Sequence, residues 1–337
     1  MRKSLFFERL KRAALLSLLV CVAGTAKSLA QTQVATLQHG EETTAFYGVN
    51  AFVEAHAASE SGDIITLSSG TFTPCDITKT ITLRGAGCSV DTVANTNPTT
   101  FGGDIVLNVE ETTSFLSIEG ILFTNKVWYK TLYNPQFTKC SFTRIDCDYT
   151  DTMHNAQFVN CIIDDFFFGR AENTVLINSV VWDANQMDYN AILMHNSIMK
   201  IKNVPHSLSA YNSILIKDDS NYLYRTCSSI NCIGIVLGDT NSLFENSYTS
   251  GCVTYYSYEE VFETFTGDFS LEEQFVLKDE IATGFLGTDD TQVGIYGGMA
   301  PYSPYPNYMV RSNVTVAPRS TIDGQLNIEV EIIEEGE

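Results

Sequence analysis

Arg144, Asp165 and Asp183 are the residues of this chain whose types and spacing could do acid–base chemistry, because each lies five positions after a short recurring motif. If that motif marks equivalent points on successive windings, the three side chains stack ~5 Å apart, the distance between adjacent strands. Asp164 adjoins the column and is a candidate for ligand binding. Carboxylates beside a guanidinium on one exposed face can divide between them the protonation of a leaving oxygen and the activation of water. A surface ion-pair stack has the same composition and is the competing assignment. Other catalytic signatures are lacking: there is no Gly-x-Ser-x-Gly elbow and no Gly-rich phosphate loop. His154, His195 and His206 stand apart from one another and are expected in turns or on the surface.

Binding chemistry has its own candidates. Trp128, Tyr129 and Tyr133 form one aromatic group, Tyr222 and Tyr224 a second, and Tyr255, Tyr256 and Tyr258 a third. Exposed rings of this kind stack on sugar faces and offer polar tips; the same rings could instead serve as packing along a flank. Asp289 and Asp290 are weak candidates to coordinate Ca²⁺ through their carboxylates, and an Asp-stabilised turn is the commoner explanation. After the first thirty residues, eight cysteines remain, at 75, 88, 140, 147, 161, 227, 232 and 252. None makes a CxxC pair or a zinc-type Cys/His spacing, so either disulfides or buried thiols are expected, with Cys75–Cys88 the leading bridge.

The elements that position these residues follow from the repeat. An apolar residue, a spacer, Asn, then Ser or Cys, and an aliphatic pair recur as Phe158-Val159-Asn160-Cys161-Ile162-Ile163 and Leu176-Ile177-Asn178-Ser179-Val180-Val181. Further copies begin at Asn196, Asn212 and Asn231, a weaker one at Asn246, and Lys139-Cys140 occupies the same slot upstream. The intervals of 21, 18, 18, 16, 19 and 15 residues are shorter than the about 33–47 of helical-pair repeats. The units are dense in Ile, Val, Phe and Tyr without helical periodicity, which predicts short strands and turns stacked coil on coil. Asn suits such a turn because it tolerates the left-handed backbone, and its amide could bond the Asn of the next coil, making a ladder of Asn160, Asn178, Asn196, Asn212 and Asn231.

An amphipathic segment (Phe46, Val49, Phe52, Val53, Ala57) precedes Gly62-Asp63-Ile64-Ile65-Thr66-Leu67, Ser69-Gly70-Thr71-Phe72 and Ile81-Thr82-Leu83-Arg84-Gly85-Ala86-Gly87. In this order residues 44–87 resemble the opening of secreted pectate-lyase-like β-helix proteins. Gly287–Gly298 and the Pro/Tyr-rich 301–306 are similar to the closing segment of secreted bacterial members. The resemblance implies an all-β fold, a single right-handed parallel β-helix covered at its start by an amphipathic helix, since an uncovered first coil exposes a sheet edge and core. For activity it implies either Ca²⁺-assisted lyases or paired-carboxylate hydrolases. The Asp, Gly-His-Gly and Arg-x-Lys set of polygalacturonases and the Arg-x-x-Pro-x-x-Arg of lyases are both lacking here. Residues 312–333 alternate apolar and polar and should add one or two strands before an acidic tail.

Residues 1–30 read as a cleaved leader: a basic head (Arg2, Lys3, Arg9, Lys11, Arg12), an apolar stretch over 13–26, and Ser28-Leu29-Ala30. The expected organisation is thus leader 1–30, β-helix 31–311 and β tail 312–337 of an exported, periplasmic, cell-surface or extracellular bacterial protein. Removing the leader changes the net charge from −20 to −25, with 14 basic and 39 acidic side chains left. That balance argues against nucleic acid and anionic lipid as partners. No later segment is long and apolar enough for a membrane helix. The expectation is a non-catalytic β-helix presenting an elongated surface to a polysaccharide or a surface protein. A polysaccharide lyase or glycoside hydrolase is the first alternative, and a structural part of a surface assembly or adhesin the second.

Overall fold

The computed structural model of the chain describes residues 33–91, 96–109, 115–148, 150–167, 171–185, 191–202, 207–217, 227–238, 243–244, 248–305, 311–316 and 328–333. The leader, His206, Tyr222, Tyr224, Asn246 and the acidic tail lie outside them. The described residues form an all-β parallel solenoid of about eight turns. Each turn adds one strand to a twelve-stranded sheet and one to an eleven-stranded sheet, and three middle turns add a third short strand. Equivalent residues lie directly above one another: Ser141, Ile162, Val180, Ile198, Ile214, Ile233 and Val253 are successive register partners.

The column that marks this register is a column of left-handed backbone. Lys139, Asn160, Asn178, Asn196, Asn212 and Asn231 have φ of 52, 54, 46, 47, 51 and 48°. Gly120 (φ 68°) and Gly251 (φ 66°) occupy the slot at its two ends, because glycine adopts this conformation without a Cβ penalty. The last marker is therefore Gly251 and not Asn246. The amides of this column do not bond one another among the described residues. That arrangement is found at a different corner, where Asn155 Nδ2 donates to Asn134 Oδ1 (3.0 Å) and Asn173 Nδ2 to Asn155 Oδ1 (3.2 Å).

The Ser or Cys after each Asn has an equally definite task. The Cys161, Ser179 and Ser197 backbone N–H groups donate to the Ser179, Ser197 and Ser213 Oγ of the next turn at 3.0–3.1 Å. Each hydroxyl donates in turn to the carbonyl two residues back, as from Ser179 to Ile177 (2.8 Å). Cys252 Sγ accepts from Cys232 N in the same way at 3.4 Å. A thiol can replace the hydroxyl because both donate and accept, which is why cysteine and serine alternate in the motif. All eight cysteines of the described region are free thiols, so the Cys75–Cys88 bridge does not form; Cys88 is buried and its Sγ faces the Pro304 carbonyl at 3.7 Å.

Inside the coil, Phe52, Phe101, Phe123 and Phe142 follow one another with ring centroids 4.8, 5.5 and 4.7 Å apart, and Phe137 and Phe158 stack at 4.9 Å. Each such ring contributes ~2–3 kcal/mol through burial. Phe52 belongs to the helix Ala51–Ala58, whose Ala51, Phe52, Ala55 and His56 are buried. The expected amphipathic segment is shorter than its apolar spacing suggests: Phe46 lies in a strand, Glu42–Tyr47, that forms a hairpin with Val34–His39. Strand Val34–His39 then pairs antiparallel with Ile64–Leu67, so the sheet edge is covered by backbone pairing.

After the last turn the chain runs back over the outer face of the eleven-stranded sheet. Tyr258, Val261, Phe262, Phe265, Phe275 and Ile295 pack on Ile162, Val180, Ile198, Ile214 and Ile233, making a second apolar core outside the coil. The Asn column grips this strap. Asn231 Nδ2 donates to the Leu286 carbonyl (3.3 Å), Asn212 Oδ1 accepts from Thr288 N (2.9 Å), and Asn178 Nδ2 donates to the Ile295 and Gly297 carbonyls (2.9 and 2.7 Å). Lys139, whose burial lowers its pKa, continues the series through Nζ to the Tyr305 carbonyl. Gly297 is required here, since a Cβ would meet the Gln292 carbonyl oxygen and lie 2.6 Å from Asn196 Nδ2. Beyond the strap, Arg311–Val316 and Ile328–Ile333 form an antiparallel pair.

Candidate functional site

The acid–base column forms in the expected register. Lys126, Arg144, Asp165 and Asp183 are consecutive partners on four turns, placed just after a bend that turns two successive side chains outward. Past Asp183 a register shift brings Ile201 opposite Ala184, so the column of charges stops there. Its members neutralise each other. Arg144 pairs with Asp165 (3.1 Å) and Asp146 (2.9 Å), and Lys126 pairs with Asp146 (3.2 Å). Asn185 Nδ2 donates to Asp165 (2.9 Å), and Lys202 pairs with Asp183 (3.0 Å). Asp164, half-buried, has its carboxyl pushed above the usual range by burial and then by the neighbouring Asp183 and Asp165. These groups form one ion-pair network, Lys126–Asp146–Arg144–Asp165, and a separate Lys202–Asp183 pair, so each carboxylate of the column holds a partner.

The aromatic candidates separate. Trp128 is half-buried with Lys126 Nζ 4.3 Å from its ring centre. Tyr129 is only 1% exposed and points into the coil, so it belongs to the core; alternation along the strand Ile121–Tyr129 sends it opposite to Trp128. Tyr133 stacks on His154 (4.7 Å between centres), and His154 Nδ1 lies 3.0 Å from Glu172. Tyr258 belongs to the strap and is buried in its contact with the sheet, whereas Tyr256 is 45% exposed. Asp289 closes its own turn by accepting from Thr291 N and Oγ1 (3.2 and 2.8 Å), and Asp290 has φ 60°. No group of three His, Cys, Asp or Glu side chains placed to hold a metal is found among the described residues.

A cavity of about 460 Å³ lies elsewhere, between the strap and the loop at Ser89–Val90. Its walls are Tyr296, Tyr302 and Tyr305 with Glu272, Glu273 and Gln274, and no basic side chain lines it among the described residues. The strap builds it. Tyr305 Oη donates to the Val90 carbonyl (3.3 Å), Tyr302 N donates to the Ile295 carbonyl (2.7 Å), and the Tyr296 and Tyr302 rings meet edge to face at 6.2 Å and 78°. Glu273 Oε1 accepts from Gln274 N and Phe275 N (3.0 and 3.3 Å), which fixes its carboxylate. Burial, and then the nearby Glu273, raise the Tyr296 pKa, so this phenol stays neutral. The volume is within the ~300–1,000 Å³ of small-molecule sites. Sequence reasoning did not single out these tyrosines. Their signal was present in the Tyr/Pro-rich closing segment, but the glutamates and Val90 that complete the walls are supplied by tertiary folding.

Fold and site together define a parallel β-solenoid with a returning strap and an aromatic–carboxylate cavity. No family model, curated protein or solved structure matches the chain. No helix among the described residues is long and apolar enough to cross a membrane.

Proposed function

We propose that this chain is an exported, non-catalytic β-helix of the pectate-lyase-like type, right-handed and helix-capped, that binds glycan. The observation that carries this reading is the cavity walled by Tyr296, Tyr302 and Tyr305 beside Glu272 and Glu273. Tyrosine rings and carboxylates lining one cavity suit a sugar, whose C–H faces stack on aromatics while its hydroxyls donate to carboxylate oxygens. Trp128 and Tyr133 are half-exposed but already carry ring contacts, from Lys126 and His154, so the reading does not rest on them. Calcium is not needed for this mode of binding.

A hydrolytic reading is favoured by one feature, the raised pKa of Asp164 beside Asp165 and Asp183, since a general acid must hold its proton. The two separate in one experiment. The purified chain is incubated with a panel of neutral, acidic and amino polysaccharides, and both retention on the glycan and release of reducing or unsaturated ends are followed. Retention lost in Tyr296→Ala, with no new ends, is the expected result. Turnover abolished by Asp164→Asn or Asp183→Asn would replace the binding role by a catalytic one, and neither retention nor turnover would leave a structural role in a surface assembly.

A further inference from the structure

We infer that the tyrosine–glutamate cavity selects a protonated amine on its sugar, that is, an amino-sugar glycan with free amino groups. This rests on the glycan-binding reading and names the class of glycan.

The argument is electrostatic. Among the described residues, Glu272 and Glu273 are the ionised side chains that line the cavity, and no Lys, Arg or His does so. Neither glutamate takes part in an ion pair among the described residues, unlike the carboxylates of the Arg144 column. Glu273 spends Oε1 on two backbone N–H groups, and its Oε2 accepts none among the described residues. Tyr296 and Tyr302 meet edge to face at 78°, so two walls of the cavity are aromatic and steeply inclined to each other. The negative face of a phenol ring attracts an ammonium group, and a carboxylate nearby adds to the attraction in a partly desolvated site. A uronic acid entering the same space would place its carboxylate beside two others on a chain of net charge −20, which costs free energy. A neutral or N-acetylated sugar would gain nothing from the charge of either glutamate. An amino sugar satisfies rings and carboxylates together.

The position is fixed from outside. Tyr305 is held by its bond to the Val90 carbonyl, and its own carbonyl is held by Lys139, so the third ring is set by the coil and does not need the ligand to order it. A preformed site of this kind loses little entropy on binding.

The test uses the full chain and three trisaccharides: fully deacetylated glucosamine, N-acetylglucosamine and galacturonate, titrated calorimetrically at low and moderate salt. The expected result is binding of the glucosamine trisaccharide at least tenfold tighter than the N-acetylated one, and none of the galacturonate. Affinity for the deacetylated sugar should weaken as pH rises and the amine loses its proton. Glu272→Gln, an exposed substitution that leaves the fold intact, should weaken it about tenfold, while Glu54→Gln, on the exposed side of the helix Ala51–Ala58, should not. Equal affinity for both glucosamine sugars, lost in Tyr296→Ala, would overturn amine selection and keep glycan binding. An equal loss in Glu54→Gln would reduce the effect to overall charge and overturn the site. Binding by none of the three would overturn both the selection and this cavity as the glycan site.

Discussion

At the scale of single residues, the chain uses few chemical devices, each for a definite position. Serine and cysteine share one slot because the slot asks for a small group that both accepts from one turn and donates within its own. Cys161→Ser should therefore change Tm by no more than about 2 °C, whereas Ser179→Val should cost about 1–3 kcal/mol by leaving the Cys161 N–H without an acceptor; thermal denaturation of both variants checks this. Asp164 behaves in the opposite way. Its folded pKa lies above the unfolded value of 3.8, so folding favours the protonated form. Its favourable contribution is present at low pH and is lost as pH rises through the window above 3.8. Asp164→Asn should raise Tm at pH 7 by roughly 1–2 °C, a modest figure because the group is half-exposed, and the gain should vanish near pH 3. A gain that grew on acidification would refute the assignment. The asparagine column was legible because the left-handed backbone leaves few residue types to choose from. The partner of each amide was not: a motif spaced by one turn suggests a neighbour one turn away, and the nearer acceptors turned out to be carbonyls of a segment 55 to 119 residues further along the chain.

At the scale of elements, the strap is held by polar clamps over an apolar bed, and the two can be weighed separately. Asn178→Gly keeps a residue at ease with φ near 46° and removes only the two bonds to the Ile295 and Gly297 carbonyls. It should cost about 1–3 kcal/mol. Asn178→Ala adds about 1 kcal/mol of left-handed strain. Gly297→Ala drives a methyl into the Gln292 carbonyl and should loosen residues 285–305, seen as faster proteolytic cleavage there while the coil remains resistant. Loss of glycan retention in that variant would follow from the tyrosines it displaces. The short strands and their turns could be read from periods in the sequence. The strap could not: Tyr258, Val261, Phe262 and Phe265 stand at i, i+3, i+4 and i+7, a helical spacing, yet they form turns and no helix, and their destination is set by the outward aliphatic residues of distant turns. The same gap hid the cavity, whose walls meet only once the strap is seated.

At the scale of the whole molecule, two cores share one sheet: one inside the coil, the other between the sheet and the strap. A chain ending at residue 256 would keep the first and expose Ile162, Val180, Ile198, Ile214 and Ile233 as an apolar stripe. It should bind a hydrophobic dye and self-associate at concentrations where the intact chain does not, as light scattering would report. A stack of turns touching only their neighbours can come apart piecemeal, one end fraying while the other persists. Here a single covalent thread crosses the rungs, fastened at Asn231, Asn212, Asn178 and Lys139 in turn. No rung along that seam can open alone without first releasing the thread, so local melting is coupled to its detachment. Heat should thus dismantle the intact molecule in one sharp step, and the shortened one by gradual unravelling.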